Sequence, residues 1–267
     1  MNFYLFFIHP QLKDLLLEEL KRRHSKLSLS FSNKEFLSMK GPEGYEVHLE
    51  KNPLVFAKRM GIFLDKSADP GEYAVRVKEG EYWNYELIRT PCDTYDIVES
   101  PKPEGAPARA WHKIDEACKH FEWKIKAGEI VIEIGSAPGG ISYYLLDKGA
   151  ELYAVDPAKM DPSLKGFKHI QRSIFDVDRR DLPTHCDWLI SDLNLSGDLN
   201  VVQCARIAAY YSKLKGGFLT IKTPQDFDVK HMKKWAKSFE NFETTLFHLP
   251  SHRREIGLFF RNTALSN

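Results

Sequence analysis

Ile130-Val131-Ile132-Glu133-Ile134-Gly135-Ser136-Ala137-Pro138-Gly139-Gly140 decides how this chain is read. Its first five residues are a short, β-branched apolar run, the pattern of a buried strand. The run breaks at Gly135 and again at Pro138-Gly139-Gly140, and Ile141 to Leu146 resumes with helical spacing. A strand, a glycine-rich turn and a helix open a nucleotide-binding α/β unit, because glycine lets backbone approach a ligand where a Cβ would block it. The turn lacks the Gly-x-Gly-x-x-Gly spacing of a dinucleotide site and the Lys-Ser/Thr of a P-loop. It also follows an acid, Glu133, which repels a pyrophosphate and suits a cation. S-adenosylmethionine, with a sulfonium and an ammonium group, meets that description.

Downstream of the turn, strands and helices alternate, which predicts a mainly parallel, doubly wound sheet. Glu151 to Val155 reads as the second strand, His169 to Ser173 as the third, Trp188 to Ile190 as the fourth and Phe218 to Ile221 as the fifth. Polar residues stand just past them: Asp156, Asp176, Asp192 and Lys222. Such sheets bind ligands at the carboxyl ends of their strands, and an acid after the second strand is placed to grip a ribose diol. A helix is expected over Leu199 to Leu214, closed by Gly216-Gly217, and another over Asp228 to Phe239, whose lysines 230, 233, 234 and 237 ring a polar side. Phe242 to His248 and Ile256 to Phe260 predict an antiparallel hairpin at the sheet edge, joined through the basic Pro250-Ser-His-Arg-Arg-Glu255. Upstream, Arg109 to Phe121 is an amphipathic helix with Lys113 beside its apolar stripe.

Before that helix the grammar changes. Ser100-Pro-Lys-Pro-Glu-Gly-Ala-Pro107 is proline-rich and without hydrophobic period, so residues 99–108 are expected to be a linker. Residues 1–98 then form a small α+β domain, and 109–267 the nucleotide-binding one. In the first, strands are expected at 2–8, Leu27 to Phe31, Phe36 to Met39, Tyr45 to Leu49, Tyr73 to Val77 and Tyr85 to Ile88. Helices are expected after Pro10 and over Leu54 to Met60.

Composition bounds the rest. The 43% hydrophobic and 28% charged fractions are those of a globular protein, and no apolar run has the length of a membrane span. Phe3 to Ile8 lacks the flanks of a signal peptide. Cys92, Cys118, Cys186 and Cys204 stand far apart, without metal-ligand spacing, as free thiols of a reducing cytoplasm would. With a net charge of +1, any polyanion has to be held by a local patch. The oligomeric state is left open.

Taken together, Arg109-Ala-Trp-His-Lys113, Gly135 to Gly140, Ala154-Val-Asp-Pro157, Ser191-Asp192, Gly217 to Lys222 and Arg254-Glu255 resemble the FtsJ/RlmM-type ribose 2′-O-methyltransferases over about residues 108–262. The resemblance implies a Rossmann-like class I methyltransferase sheet, S-adenosylmethionine as cofactor and structured, chiefly ribosomal, RNA as partner, with no metal and no membrane. It also implies a catalytic set of Lys113, Asp192, Lys222 and Glu255. Glu133, Gly135, Ala137, Pro138, Gly139, Gly140, Asp156 and Asp192 would hold the cofactor, with Asp176 near its adenine. The N-terminal domain is similar in style to the RNA-capturing domains that precede such catalytic domains. Glu133 stands where the family usually has Asp, and Leu193-Asn194 replaces the Met-Ala-Pro of the ribosomal FtsJ branch. The readings kept beside this one are a catalytically inactive S-adenosylmethionine- and RNA-binding module, and a methyltransferase acting on a protein or small molecule.

A ribose 2′-hydroxyl is a very weak acid, so a cation that stabilises the developing alkoxide is the natural device. Lys222 is the expected proton acceptor or orienting group. Lys113 disfavours a second positive charge beside it, whereas Asp192 and Glu255 favour one, and the sequence does not decide that balance.

Overall fold

The computed structural model describes residues 1–224 and 227–265; Ser266 and Asn267, which end the expected catalytic domain, lie outside them. The chain forms two compact units, Met1–Asp96 and Ile97–Asn267.

In the first unit β1 (Asn2–Ile8) is followed by a 3-10 turn over Pro10–Leu12 and by α1 (Lys13–Arg23). Then come β2 (Ser28–Ser32), β3 (Phe36–Gly41), α2 (Glu46–Lys51), β4 (Ala57–Ser67), β5 (Ala74–Lys78) and β6 (Glu81–Ile88). The six strands make one antiparallel sheet in the order β2-β3-β1-β4-β6-β5.

Two elements differ from the sequence reading. Tyr45 to Leu49, expected as a strand, is helical: Tyr45 and Leu49 are buried four residues apart while Val47 between them is 50% exposed, a helical period and not an alternating one. Leu54 to Met60, expected as a helix, leads into β4. The buried Glu19 carboxylate accepts the backbone N–H groups of Val55 and Phe56, both at 3.1 Å, which holds that segment extended at the mouth of the strand. A side chain 36 residues upstream thus overrides the local signal.

The second unit begins with α3 (Ala110–His120) and continues through β7 (Ile130–Ile134), α4 (Gly140–Asp147), β8 (Glu151–Val155) and β9 (Lys168–Ile170). After β10 (Trp188–Ser191) come α5 (Gly197–Ala208), β11 (Gly216–Lys222), α6 (Lys230–Lys237), β12 (Glu243–Phe247) and β13 (Glu255–Arg261). The sheet runs β12-β13-β11-β10-β7-β8-β9. The five strands from β11 to β9 are parallel, and β13 runs antiparallel to both β11 and β12, as expected of the Rossmann-like class I sheet. Gly216-Gly217 do not close α5, which stops at Ala208; they open β11, where a Cβ on Gly217 would lie 2.0 Å from the Leu189 carbonyl oxygen.

Helices cover both faces. Phe218 joins the core made by Trp111, Ile114, Ala117, Ile141 and Leu145, so α3 and α4 lie on its side. Ile221 abuts Gly197 at the start of α5, and successive strand residues face opposite ways, which puts α5 on the other. By the same parity Thr220 and Lys222 project toward α3. This parity, set by one strand, decides which charged residues can meet at its end.

Candidate active site

The register of the parallel strands lines up their exits. Ile134 pairs with Val155 and with Ser191, so Gly135, Asp156 and Asp192 are each the first residue past a paired end. Gly135, at φ +77°, passes so near the next crossing that a Cβ there would sit 2.9 Å from the Leu193 backbone. Only glycine permits that approach. Gly139, at φ +119°, is likewise covered by Leu164, whose methyl would lie 2.2 Å from an added Cβ. Asp156 ties the turn down: its carboxylate accepts the Ala137 N–H at 3.0 Å and the Ala158 N–H at 2.8 Å.

Glu133, one residue before the end of β7, is 1% exposed and accepts a hydrogen bond from the Ser142 hydroxyl of α4. Burial pushes its carboxyl up to about 8; the Ser142 bond opposes the shift, and Asp192 and Asp156 reinforce it. Without a cation nearby this acid is therefore protonated at neutral pH.

At the other side of the turn the four expected catalytic residues come together. Lys113 of α3 donates to Asp192 at 2.8 Å and pairs with Glu255 at 2.9 Å, and Glu255 pairs in turn with Lys222. Lys222 and Glu255 are register partners across β11 and β13, which puts both on the α3 face of the sheet. The result is a line of alternating charge, Asp192–Lys113–Glu255–Lys222, in which a carboxylate stands between the two lysines. Burial raises the Glu255 pKa, but Lys113 and Lys222 pull harder, and it ends below the ordinary carboxylate value. Lys113 is 7% exposed, Glu255 9% and Asp192 14%, against 35% for Lys222. Lys222 is the member of the line most open to an incoming group.

The sequence reading missed the supports. Glu116, one turn after Lys113 and fully buried, accepts the Ser251 N–H at 2.9 Å, and Arg109 donates to the Ser251 carbonyl at 2.8 Å. These two bonds tie the segment before β13 to α3. Burial raises the Glu116 pKa against the Ser251 bonds that lower it. In the same segment His252 is buried, its Nδ1 accepting the Leu249 N–H at 3.3 Å. Burial, with His248, Lys113, Lys222 and Arg109 around it, keeps its ring neutral. On the opposite face, Ser191 donates to Asn200 Oδ1 and Asn200 Nδ2 donates to the Thr220 carbonyl, both at 2.8 Å, which locks β10, α5 and β11 in step. The spacing of Glu116 from Lys113 was a signal for the first support; nothing local marks the others.

Asp176 is not brought into this arrangement. The third strand ends at Ile170, not Ser173, and Asp176 lies exposed in a 3-10 turn over Ile174–Asp176, without a side-chain hydrogen bond among the described residues.

The FtsJ-like methyltransferase family model matches residues 106–254, from the segment before α3 to the eve of Glu255. The chain belongs to the FtsJ-like methyltransferase family. S-adenosylmethionine is the cofactor that goes with this membership, and the acid-lined glycine turn fits it. Curated relatives carry the name Ribosomal RNA large subunit methyltransferase M. That of Histophilus somni is 29% identical over 181 residues, 60% of this chain and 48% of the relative. That of Laribacter hongkongensis is 36% identical over 107 residues, 36% and 29% of the two chains. That of Shewanella amazonensis is 26% identical over 198 residues, 66% and 52%. This FtsJ-like chain spans about half the length of the curated relatives it matches.

Proposed function

We propose that this FtsJ-like chain transfers a methyl group from S-adenosylmethionine to a ribose 2′-hydroxyl of structured RNA, most directly ribosomal RNA. One observation carries the reading: the line Asp192–Lys113–Glu255–Lys222 is complete and ends in an accessible ammonium two strands from the glycine turn, with β10 between. A vestigial binding module has no use for a buried lysine bracketed by two carboxylates, since burying those charges costs stability. The names of the large-subunit relatives support ribosomal RNA as substrate.

When bound, S-adenosylmethionine supplies an activated methyl group on a sulfonium. The chain's own work is to hold it, align the hydroxyl and manage one proton. Asp156 has lone pairs for the ribose diol, and Gly135 to Gly140 give backbone access to the methionine part. Glu133 gives up its proton when a cation draws near, so the cofactor's charge is matched inside the fold. Lys222 hydrogen-bonds the 2′ oxygen and, as an ammonium, stabilises its developing charge; to take the hydroxyl proton itself it must first give up its own, so that one proton leaves the amine before one arrives. Glu255, held by Lys113, aims Lys222; Asp192 anchors Lys113. Alignment of this kind supplies up to ~7–11 kcal/mol and base assistance ~10²–10⁴-fold. The four cysteines are free and buried, in keeping with work in a reducing cytoplasm.

The test is transfer of labelled methyl to total RNA lacking native modifications, with digestion to nucleosides. Label on a ribose that disappears in Lys222→Ala is the expected result. Label on a base, on protein, or undiminished by Lys222→Ala overturns the assignment.

A further inference from the structure

The carboxyl edge of the second sheet changes sign along its length. Asp156, Glu133 and Asp192 follow one another at the ends of β8, β7 and β10, and then the series turns positive at Lys222. Beyond it, Arg253 and Arg254 precede β13. Arg254 donates to the carbonyls of Thr223 and Pro224, at 3.3 and 3.2 Å, which pins the segment; Arg253 is exposed, and its guanidinium has no partner among the described residues. A cationic cofactor belongs on the acidic half, which leaves the basic half for a polyanion.

On the α5 side of the same edge, α6 begins eight residues after Lys222. Met232 and Trp235 are buried beneath it, and the Trp235 indole donates to Asp198 at 2.7 Å, so the helix cannot roll. Its outer stripe is Lys230, Lys233 and Lys237, three and four residues apart and all exposed, spanning about 10 Å. Asp198 occupies His231 and Lys234, at 3.2 and 3.3 Å. Lys233 and Lys237 meet no carboxylate among the described residues, and Lys230 has only Asp228 at 3.7 Å. A solvated face needs no helix fixed in its roll; a polyanion crossing the edge at Lys222 would meet Arg253 before β13 and the lysines of α6, which starts eight residues on.

We propose that Arg253, Lys230, Lys233 and Lys237 form a phosphate track for the substrate RNA, which crosses the edge at Lys222 and runs on along α6. This rests on the RNA reading given above. Phosphate contacts fix the register of a strand without reading its bases, so the track positions the nucleotide and base identity is read elsewhere.

The full chain is titrated with an unmodified transcript of large-subunit ribosomal RNA between roughly 50 and 300 mM KCl, where each phosphate neutralised contributes about 0.7 to 0.9 to the log–log salt slope. The triple variant Lys230→Gln, Lys233→Gln, Lys237→Gln is expected to lower that slope by about two and to weaken binding at 100 mM KCl at least about tenfold. Affinity for S-adenosylmethionine, measured by calorimetry, is expected to hold and reports the fold. A charge-matched control, Lys124→Gln, Lys126→Gln, Lys213→Gln, removes exposed lysines outside the proposed track and is expected to leave the slope alone. If wild type binds and methylates the transcript but the α6 triple keeps the wild-type slope, or the control loses as much, the track is wrong and the RNA reading stands. If wild type neither binds nor methylates the transcript, the RNA reading falls and the track falls with it.

Discussion

Glu133 and Glu255 are the same residue type, both buried at one sheet edge, and their surroundings drive them in opposite directions. Glu133 sits among apolar groups and other acids with one hydroxyl for company, and its carboxyl rises to about 8. Glu255 is also desolvated, yet two lysines touch it and hold it below the usual carboxylate range. Burial sets the stakes, and the neighbours' charge decides the outcome. The proposed cofactor side is thus an acid waiting for its cation, whereas the proposed catalytic side has folded with its own.

That contrast can be broken at its catalytic end first. Lys222→Ala should cost methyl transfer ~10²–10⁴-fold while cofactor affinity, read by calorimetry, stays within about twofold. Next, Lys113→Met strands Asp192 and Glu255 with one lysine between them. Chemical denaturation should show a loss of about 3–5 kcal/mol at pH 7, the penalty for removing one partner of a buried pair. Much of that loss should return at low pH, where the carboxylates protonate.

The cofactor end should answer with the opposite sign. The folded-state pKa of Glu133 lies above its unfolded value of about 4.5, so the unfolded chain gives up this proton first and stability falls as pH rises from about 5 to 8. Glu133→Gln removes the titration. It should stabilise the protein by a few kcal/mol at pH 8–9, by melting or denaturant midpoint, and do little at pH 5. The same variant should weaken S-adenosylmethionine binding and abolish the proton release that accompanies it in wild type. Glu255 has a depressed pKa, so its contribution is lost instead as pH falls through the folded-state value. The smallest effect belongs to the support that ties the segment before β13 to α3. Glu116→Ala leaves the Ser251 N–H unpaired and should cost about 1–3 kcal/mol of stability, while Glu116→Gln, which still accepts that bond, should recover most of it.

Much of this was legible in the chain because it is local. The run from Ile130 to Ile134, the glycines after it and the polar residue past each strand sit within a few residues of what they signal. The proposed catalytic set could be placed in chain order, but its burial could not, since Lys113 meets a carboxylate 79 residues away and another in the last strand. A lysine beside an apolar stripe reads as solvated until its partners are known. The same distance explains Glu19, whose grip on Val55 and Phe56 turned an expected helix into a strand, and Asn200, which reads as one polar residue of a helix yet fastens two strands. The third strand differs for another reason: β9 ends at Ile170, three residues before Ser173, because Gln171 to Ser173 bring no further apolar residue to the sheet, and Asp176 follows in a 3-10 turn.

The reversed direction of β13 has one more consequence. Because that strand runs against its neighbours, its first residue, not its last, arrives at the active edge, and Glu255 is fixed there by seven register pairs with β11. The segment leading into it is held as well, at Ser251 to α3 and at Arg254 to the carbonyls past β11. The exposed Arg253 can therefore change in charge without moving the carboxylate, whereas a change in the segment's length would pull on α3 and Lys113.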